Sequence, residues 1–241
     1  MADAPLISAI VRVLNEAEEL SSFLKVWGPL CDEFIVVDSG SSDGTPDVAR
    51  RYPQVNLLRW EGGSISPDVY FTPEGPIYNM ALSVARGEWV FLLAADERPC
   101  RRMQRDLRAM LSGIREDNVA FWGVHFVDMN VYAARWLSQI PGRLVRRDPE
   151  FRFPNQTRGL SFPLLGDEKV YKADMALFHR YWVNRRAKTE RYYRLQGKPI
   201  GHIPDDILRE RAESLPTAWP ATACHSGCQE CVLSRQRGEA I

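Results

Sequence analysis

Three things are missing from this sequence. It has no long hydrophobic run: the longest stretch without a polar residue is 89–95, seven residues against the roughly 18 that a membrane-spanning helix needs. A transmembrane chain is therefore excluded. It has no surplus of either charge, with 31 basic and 31 acidic side chains in 241 residues, so the total gives no reason to expect an anionic partner. Nor does it have an even set of cysteines. There are five, Cys31 and Cys100 stand alone, and the opening MADAPLISAI has neither a basic start nor a cleavage site. A disulfide framework and secretion are both disfavoured, and the expected compartment is the cytoplasm. What is present is ordinary globular composition, 45% hydrophobic and 26% charged, enough for one α/β domain with a small appendage.

Strand-like and helix-like segments alternate through the first half, the pattern of a parallel sheet with crossover helices. Residues 6–14 (LISAIVRVL) form an apolar, β-branched run suited to a strand buried on both faces. Asn15 is placed to cap the helix that follows, whose apolar face is Leu20, Phe23, Leu24 and Trp27. Further strands are expected over 33–38, 55–60, 88–93, 120–127 and 174–179. Helices are expected from Thr45-Pro46, over 77–85 and 100–113, and over the basic, aromatic-rich 181–196. Residues 61–76 read as a Gly- and Pro-rich loop, and beyond Pro141 the regular alternation fades.

Ligands of an open α/β sheet bind at the carboxyl ends of its strands, and three polar clusters fall there. They are the segment 12–16 (RVLNE), the segment 38–45 (DSGSSDGT) and the segment 94–97 (AADE). Carboxylates converging on one crevice repel unless a cation or a donor-rich ligand lies between them. A divalent metal holding a diphosphate satisfies that arrangement, with Asp38 free to accept from the ring N–H of a base. Asp43 and Thr45 are equally well explained as turn and cap residues. In the C-terminal tail, Cys224, His225, Cys228 and Cys231 offer zinc-type donors, but in one cluster rather than two paired knuckles. A structural Zn²⁺ and a tail of reduced thiols are both open.

In order, VRVLNEAEEL, EFIVVDSGSSDGT and ARGEWVFLLAADE resemble the nucleotide-sugar half of family 2 glycosyltransferases over residues 6–100. More weakly, HFVDMNVYAARWL (125–137), GRLVRRD (142–148) and LFHRYWVNRRAKTERYYRL (177–195) are similar to small bacterial transferases that add sugars to lipopolysaccharide core. The resemblance implies an α/β fold of the GT-A, Rossmann-like type, a mixed and mainly parallel central sheet flanked by helices. It implies one domain over 1–200, with a nucleotide-sugar half (1–100), an acceptor half (101–200) and a tail (201–241). Val13, Asn15 and Glu16 would then line the base pocket. Asp38 would contact uracil or another base, with Ser39 and Asp43 beside it. The family's central strand ends in Asp-x-Asp. Here Ala94 replaces the first acid, while Asp96 matches the metal-binding one and His179 a position that completes the metal shell, for Mn²⁺ or Mg²⁺. The stretch 153–158, where such relatives carry the proton-accepting acid, has none. Asp167 and Glu168 are the nearest substitutes and Asp128 a third. Arg143, Arg146 and Arg147 would assist at the diphosphate and the acceptor.

The zero total conceals a segregation. Residues 1–100 carry 7 basic and 15 acidic side chains, and 142–198 carry 14 basic and 6 acidic. The basic part interleaves Arg185 and Arg186 with Tyr181, Trp182, Tyr192 and Tyr193, cations and rings of the kind an anionic acceptor requires, although a solvated helix face has the same composition. Two acceptors are consistent with it: a phosphorylated glycan or lipid-linked saccharide met by peripheral contact with a membrane, and nucleic acid carrying a hydroxymethylated base. From other classes, a nucleotidyltransferase would show a Gly-rich basic loop where this chain has LNEAEEL. An inactive nucleotide-sugar binder is allowed by Ala94.

Overall fold

The structure, a computed structural model, describes residues 7–61, 74–128, 131–132, 138–155, 162 and 169–179, and of those between 124 and 139 the backbone alone. In chain order the elements are β1 (Ile7–Val13), α1 (Ala17–Trp27), β2 (Glu33–Asp38), α2 (Thr45–Arg50), β3 (Val55–Arg59), α3 (Gly75–Leu82), β4 (Trp89–Ala94), β5 (Glu97–Pro99), α4 (Arg101–Gly113), β6 (Asn118–Asp128), β7 (Val131–Tyr132), β8 (Ser138–Arg146) and β9 (Val170–His179). The strands form one sheet in the order β3-β2-β1-β4-β8-β6-β9-β5, with β7 added to β6.

The expected α/β architecture is present. The pairings β3-β2, β2-β1 and β1-β4 are all parallel, and a parallel sheet must be covered on both faces. Leu20, Phe23 and Trp27 of α1, with Met103, Leu107 and Leu111 of α4, cover one face over Val11, Phe34 and Phe91. On the other face Ile77, Tyr78 and Ala81 of α3 pack over Ile10, Ile35, Val90 and Leu92. This two-sided burial explains why the strands of the first half read as continuous apolar runs. Cys31 and Cys100 are buried free thiols, and burial pushes the Cys31 thiol far above its ordinary range.

The second half is built differently. β8 runs antiparallel to both β4 and β6, and β9 is parallel to β6 but antiparallel to β5. β8 lies where sequence alternation fades, because Pro141 and Gly142 interrupt it. Gly142 adopts φ +72°, and a Cβ there would stand 2.3 Å from the Phe162 carbonyl oxygen. The register of β6 against β8 slips between Val119 and Phe121 to accommodate this. Among the described residues no helix is long and apolar enough to cross a membrane. The basic helix expected over 181–196 and the tail from 201 lie outside the described residues.

Candidate active site

The carboxyl ends of β1 and β2 are joined by a lattice of short hydrogen bonds. Asn15 takes a left-handed conformation, φ +53°, a region that tolerates Asn better than most residues. It does not cap α1 with its side chain. Its Oδ1 instead accepts from the Ser42 amide at 2.8 Å, while its own amide donates to Ser41 Oγ at 2.8 Å. The first amides of α1 are capped from across the crevice: Glu16 donates to Thr45 Oγ1 at 2.8 Å and Ala17 to Asp43 Oδ2 at 3.2 Å. Asp43 also accepts from the Thr45 amide at 2.9 Å and from the Thr45 hydroxyl. Burial alone would raise its carboxyl, but these hydrogen bonds outweigh it and hold the group below the usual carboxylate range. Asp43 and Thr45 thus act as cross-loop caps, the second of the two readings open at the sequence level.

Inside this lattice Asp38 ends β2, buried, its two carboxylate oxygens 3.1 and 3.2 Å from the Ser41 amide. Val13 pairs with Asp38 in register, but its side chain lies in the core beneath α1, and only its carbonyl, accepting from the Ser39 amide at 2.9 Å, reaches the crevice edge. One basic residue of this edge, in the polar segment 12–16, anchors the crevice wall. Arg12 donates from Nε to Ser39 Oγ at 3.2 Å and from Nη1 to Glu74 Oε1 at 2.6 Å. Tyr78 donates to the other Glu74 oxygen at 3.3 Å. The sequence carries a signal for this role, since Arg12 is the one charged residue of β1.

The third cluster leaves β4. Asp96 is 2% exposed, and its Oδ2 lies 3.1 Å from His179 Nε2 at the end of β9. The antiparallel register that sets Glu97 opposite His179 brings these two together across 83 residues of chain. Glu97, 4% exposed, turns inward to a buried ion pair with Arg143 and accepts from the Ala94 amide at 2.8 Å. Arg143 also donates to the Leu92 carbonyl from Nε at 3.0 Å and Nη2 at 2.9 Å.

The other expected arginines stand elsewhere. Arg146 pairs in register with Trp89, the first residue of β4, about 17 Å from its last residue at the usual strand rise. It contacts Glu88 and Asp117 and lies 4.5 Å over the Trp89 ring. Arg147 donates to the Gly87 carbonyl at 3.0 Å. Both therefore sit at the opposite end of the sheet from Asp38 and Asp96, and Arg143, 4% exposed, is interior. None of the three is placed to meet an acceptor, because each guanidinium is committed to the sheet itself. By contrast the backbone of Asp128 ends β6, which runs parallel to β9 with His125 opposite His179, so it belongs to the Asp96 end. Asp167, Glu168, Arg185, Arg186, Cys224, His225, Cys228 and Cys231 lie outside the described residues.

For a divalent ion the donor set is one carboxylate and one imidazole. No group of three or more His, Cys, Asp or Glu that could hold a metal occurs among the described residues. Asp96 and His179 thus fit an ion that takes its remaining ligands from phosphate and water, the coordination habit of Mg²⁺ and, with greater tolerance of imidazole, Mn²⁺. They do not make a closed zinc cage.

Comparison with known proteins bears on the fold and the family. The crystal structure of S. aureus TarS superposes with a TM-score of 0.53 at 16% identity, covering 86% of this chain and 43% of TarS. Its 1–349 fragment superposes with a TM-score of 0.52 at 15% identity, covering 79% of this chain and 64% of the fragment. These likenesses are ones of fold. A TPR repeat-containing protein of Synechococcus elongatus is 27% identical over 151 residues, 61% of this chain, and the chain spans 33% of that protein's length. The model of the glycosyl transferase family 2 matches residues 8–187, a span that runs from β1 past β9 and includes Asp38, Asp96 and His179. With three-quarters of its length so matched on a fold of the GT-A type, the chain belongs to glycosyltransferase family 2.

Proposed function

We propose that the chain transfers a sugar from a UDP-sugar to a hydroxyl of an anionic acceptor, a phosphorylated glycan or a lipid-linked saccharide, with Mn²⁺ or Mg²⁺ bound by Asp96 and His179. The observation that carries this reading is the 3.1 Å approach of Asp96 to His179 at the carboxyl end of β4, the same end of the sheet as Asp38 and separated from it by β1. The base lies against Asp38, whose carboxylate accepts from the ring N–H, with Asn15, Glu16 and Ser39 framing the crevice. The chemistry a divalent ion supplies there is neutralisation of the negative charge that grows on the departing diphosphate. In the transfer the acceptor oxygen forms a bond to the anomeric carbon and the bond from that carbon to the diphosphate oxygen breaks. The electron pair leaves with the nucleoside diphosphate, and the acceptor's proton passes to a carboxylate. Of the three candidates for that carboxylate, Asp128 has its backbone at the donor end, and Asp167 and Glu168 remain the alternatives. Positive charge for the acceptor falls to the segment 180–194, with Arg185 and Arg186, since Arg143, Arg146 and Arg147 are engaged elsewhere.

Release of UDP from a panel of UDP-sugars with Mn²⁺, with and without anionic saccharide acceptors, tests the proposal. Acceptor-stimulated release that weakens as salt rises is expected. Folded protein that releases no nucleotide from any donor with any acceptor would rule it out.

A further inference from the structure

The buried pair Glu97–Arg143 has no place in donor or acceptor binding, yet it is built around the turn that carries Asp96. β4 ends at Ala94 and β5 begins at Glu97, so Asp96 sits on a two-residue connection that bends sharply. Three of the backbone groups flanking it are held by side chains. The Glu97 carboxylate folds back to accept from the Ala94 amide at 2.8 Å, closing the turn on itself. The Ala95 carbonyl accepts from Arg98 Nη1 at 2.8 Å. The Glu97 carbonyl accepts from Trp27 Nε1 at 3.0 Å and from Arg98 Nη1 at 2.9 Å. Arg143, arriving on β8, grips the Leu92 carbonyl and the Glu97 carboxylate with one guanidinium. Its planar fork gives the Leu92 carbonyl two donors, Nε and Nη2, while Nη2 also reaches the Glu97 carboxylate, a fixed geometry that a flexible ammonium does not reproduce.

A buried ion pair is a poor way to gain stability, because desolvation consumes most of the attraction, and apolar residues of similar volume usually serve as well. Its use at this position calls for another return. We infer that Glu97 and Arg143 are positioning residues: the pair fixes the turn between β4 and β5 so that the Asp96 carboxylate is presented to His179. The inference rests on the proposed metal-binding role of Asp96 and His179 and deepens it. It also assigns a role to the acid that follows Asp96, and moves Arg143 from the acceptor to the support of the metal ligands.

Because removing one partner alone strands a buried charge and threatens folding, the test uses the double variant Glu97→Leu/Arg143→Met, with Arg143→Lys as a milder change. Manganese affinity is measured by the electron paramagnetic resonance of free Mn²⁺ in the presence of UDP, with the melting temperature followed in parallel. The double variant is expected to melt near the parent temperature and to lose at least tenfold in manganese affinity. Arg143→Lys is expected to lose at least threefold. Affinity within twofold of the parent in the folded double variant would overturn the inference. If the parent itself binds no manganese, the proposed metal role fails on its own. The crystal structure of the double variant then decides: an Asp96–His179 separation opened beyond hydrogen-bonding range supports the brace, and one kept at 3.1 Å refutes it.

Discussion

Both ends of the sheet hold closed ion pairs, Arg12–Glu74 and Arg143–Glu97 among them at the carboxyl end, but the acids at the tips of β2 and β4 are placed differently from those at the amino end. At the carboxyl end Asp38 meets a backbone amide, and Asp96 meets an imidazole. These are the two acids to which the proposed nucleotide and metal bind. At the amino end Arg146 bridges Glu88 and Asp117 over Trp89, Arg147 takes the Gly87 carbonyl, and Glu33 takes Ser8 and Arg86. There opposite charges close on one another and hold strands together. Both ends are rich in charged residues in the sequence. Only the pairing separates chemistry from construction.

The largest effect that sharpens this contrast is expected from Asp96→Ala. Turnover should fall by about 100-fold or more, the scale of losing one charge-stabilising group in a site, with the melting temperature nearly unchanged. Steady-state rates of UDP release at saturating Mn²⁺ measure it. Next comes Asp38→Ala, which removes the proposed contact to the base and should weaken UDP binding by about tenfold, read by calorimetry. At the other end Arg146→Ala should cost roughly 1 kcal/mol of stability, since its pairs are partly exposed and one face rests on an indole. kcat/KM should change by less than about twofold, and a larger loss would mean that this end takes part in turnover. The smallest effect belongs to Asp43. Its carboxyl is held below the ordinary value of about 3.9, so its contribution to stability is complete above that value and is lost as pH falls through the lower folded value. Asp43→Asn should flatten the acid limb of the melting temperature against pH by lowering the neutral region slightly, where the ionised carboxylate contributes, and leaving the acid region nearly unchanged.

The same contrast explains what could be read from residues alone. Strands buried on both faces announce themselves as apolar runs, so β1, β2 and β4 and the acids at their ends were legible, as was Asp43 as a turn or cap residue. β8 was hidden because Pro141 and Gly142 break its pattern, and with it went the identity of Arg143. A sequence shows that an arginine is present but not which carboxylate it faces 46 residues away. Asn15 illustrates the local limit. Its spacing suited a helix cap, but its left-handed backbone turns the side chain toward Ser42, and the capping falls to Asp43 and Thr45 on another loop. His179 stands out by its motif, while the partner that gives it meaning comes from strand register.

The most direct measurement is UDP binding by calorimetry with and without Mn²⁺, for the parent and for Asp96→Ala. Manganese should strengthen UDP binding to the parent by at least tenfold and leave the variant's binding at the parent's metal-free value. An equal strengthening in both proteins would contradict the assignment of the metal to Asp96, and with it the division between the two ends of the sheet.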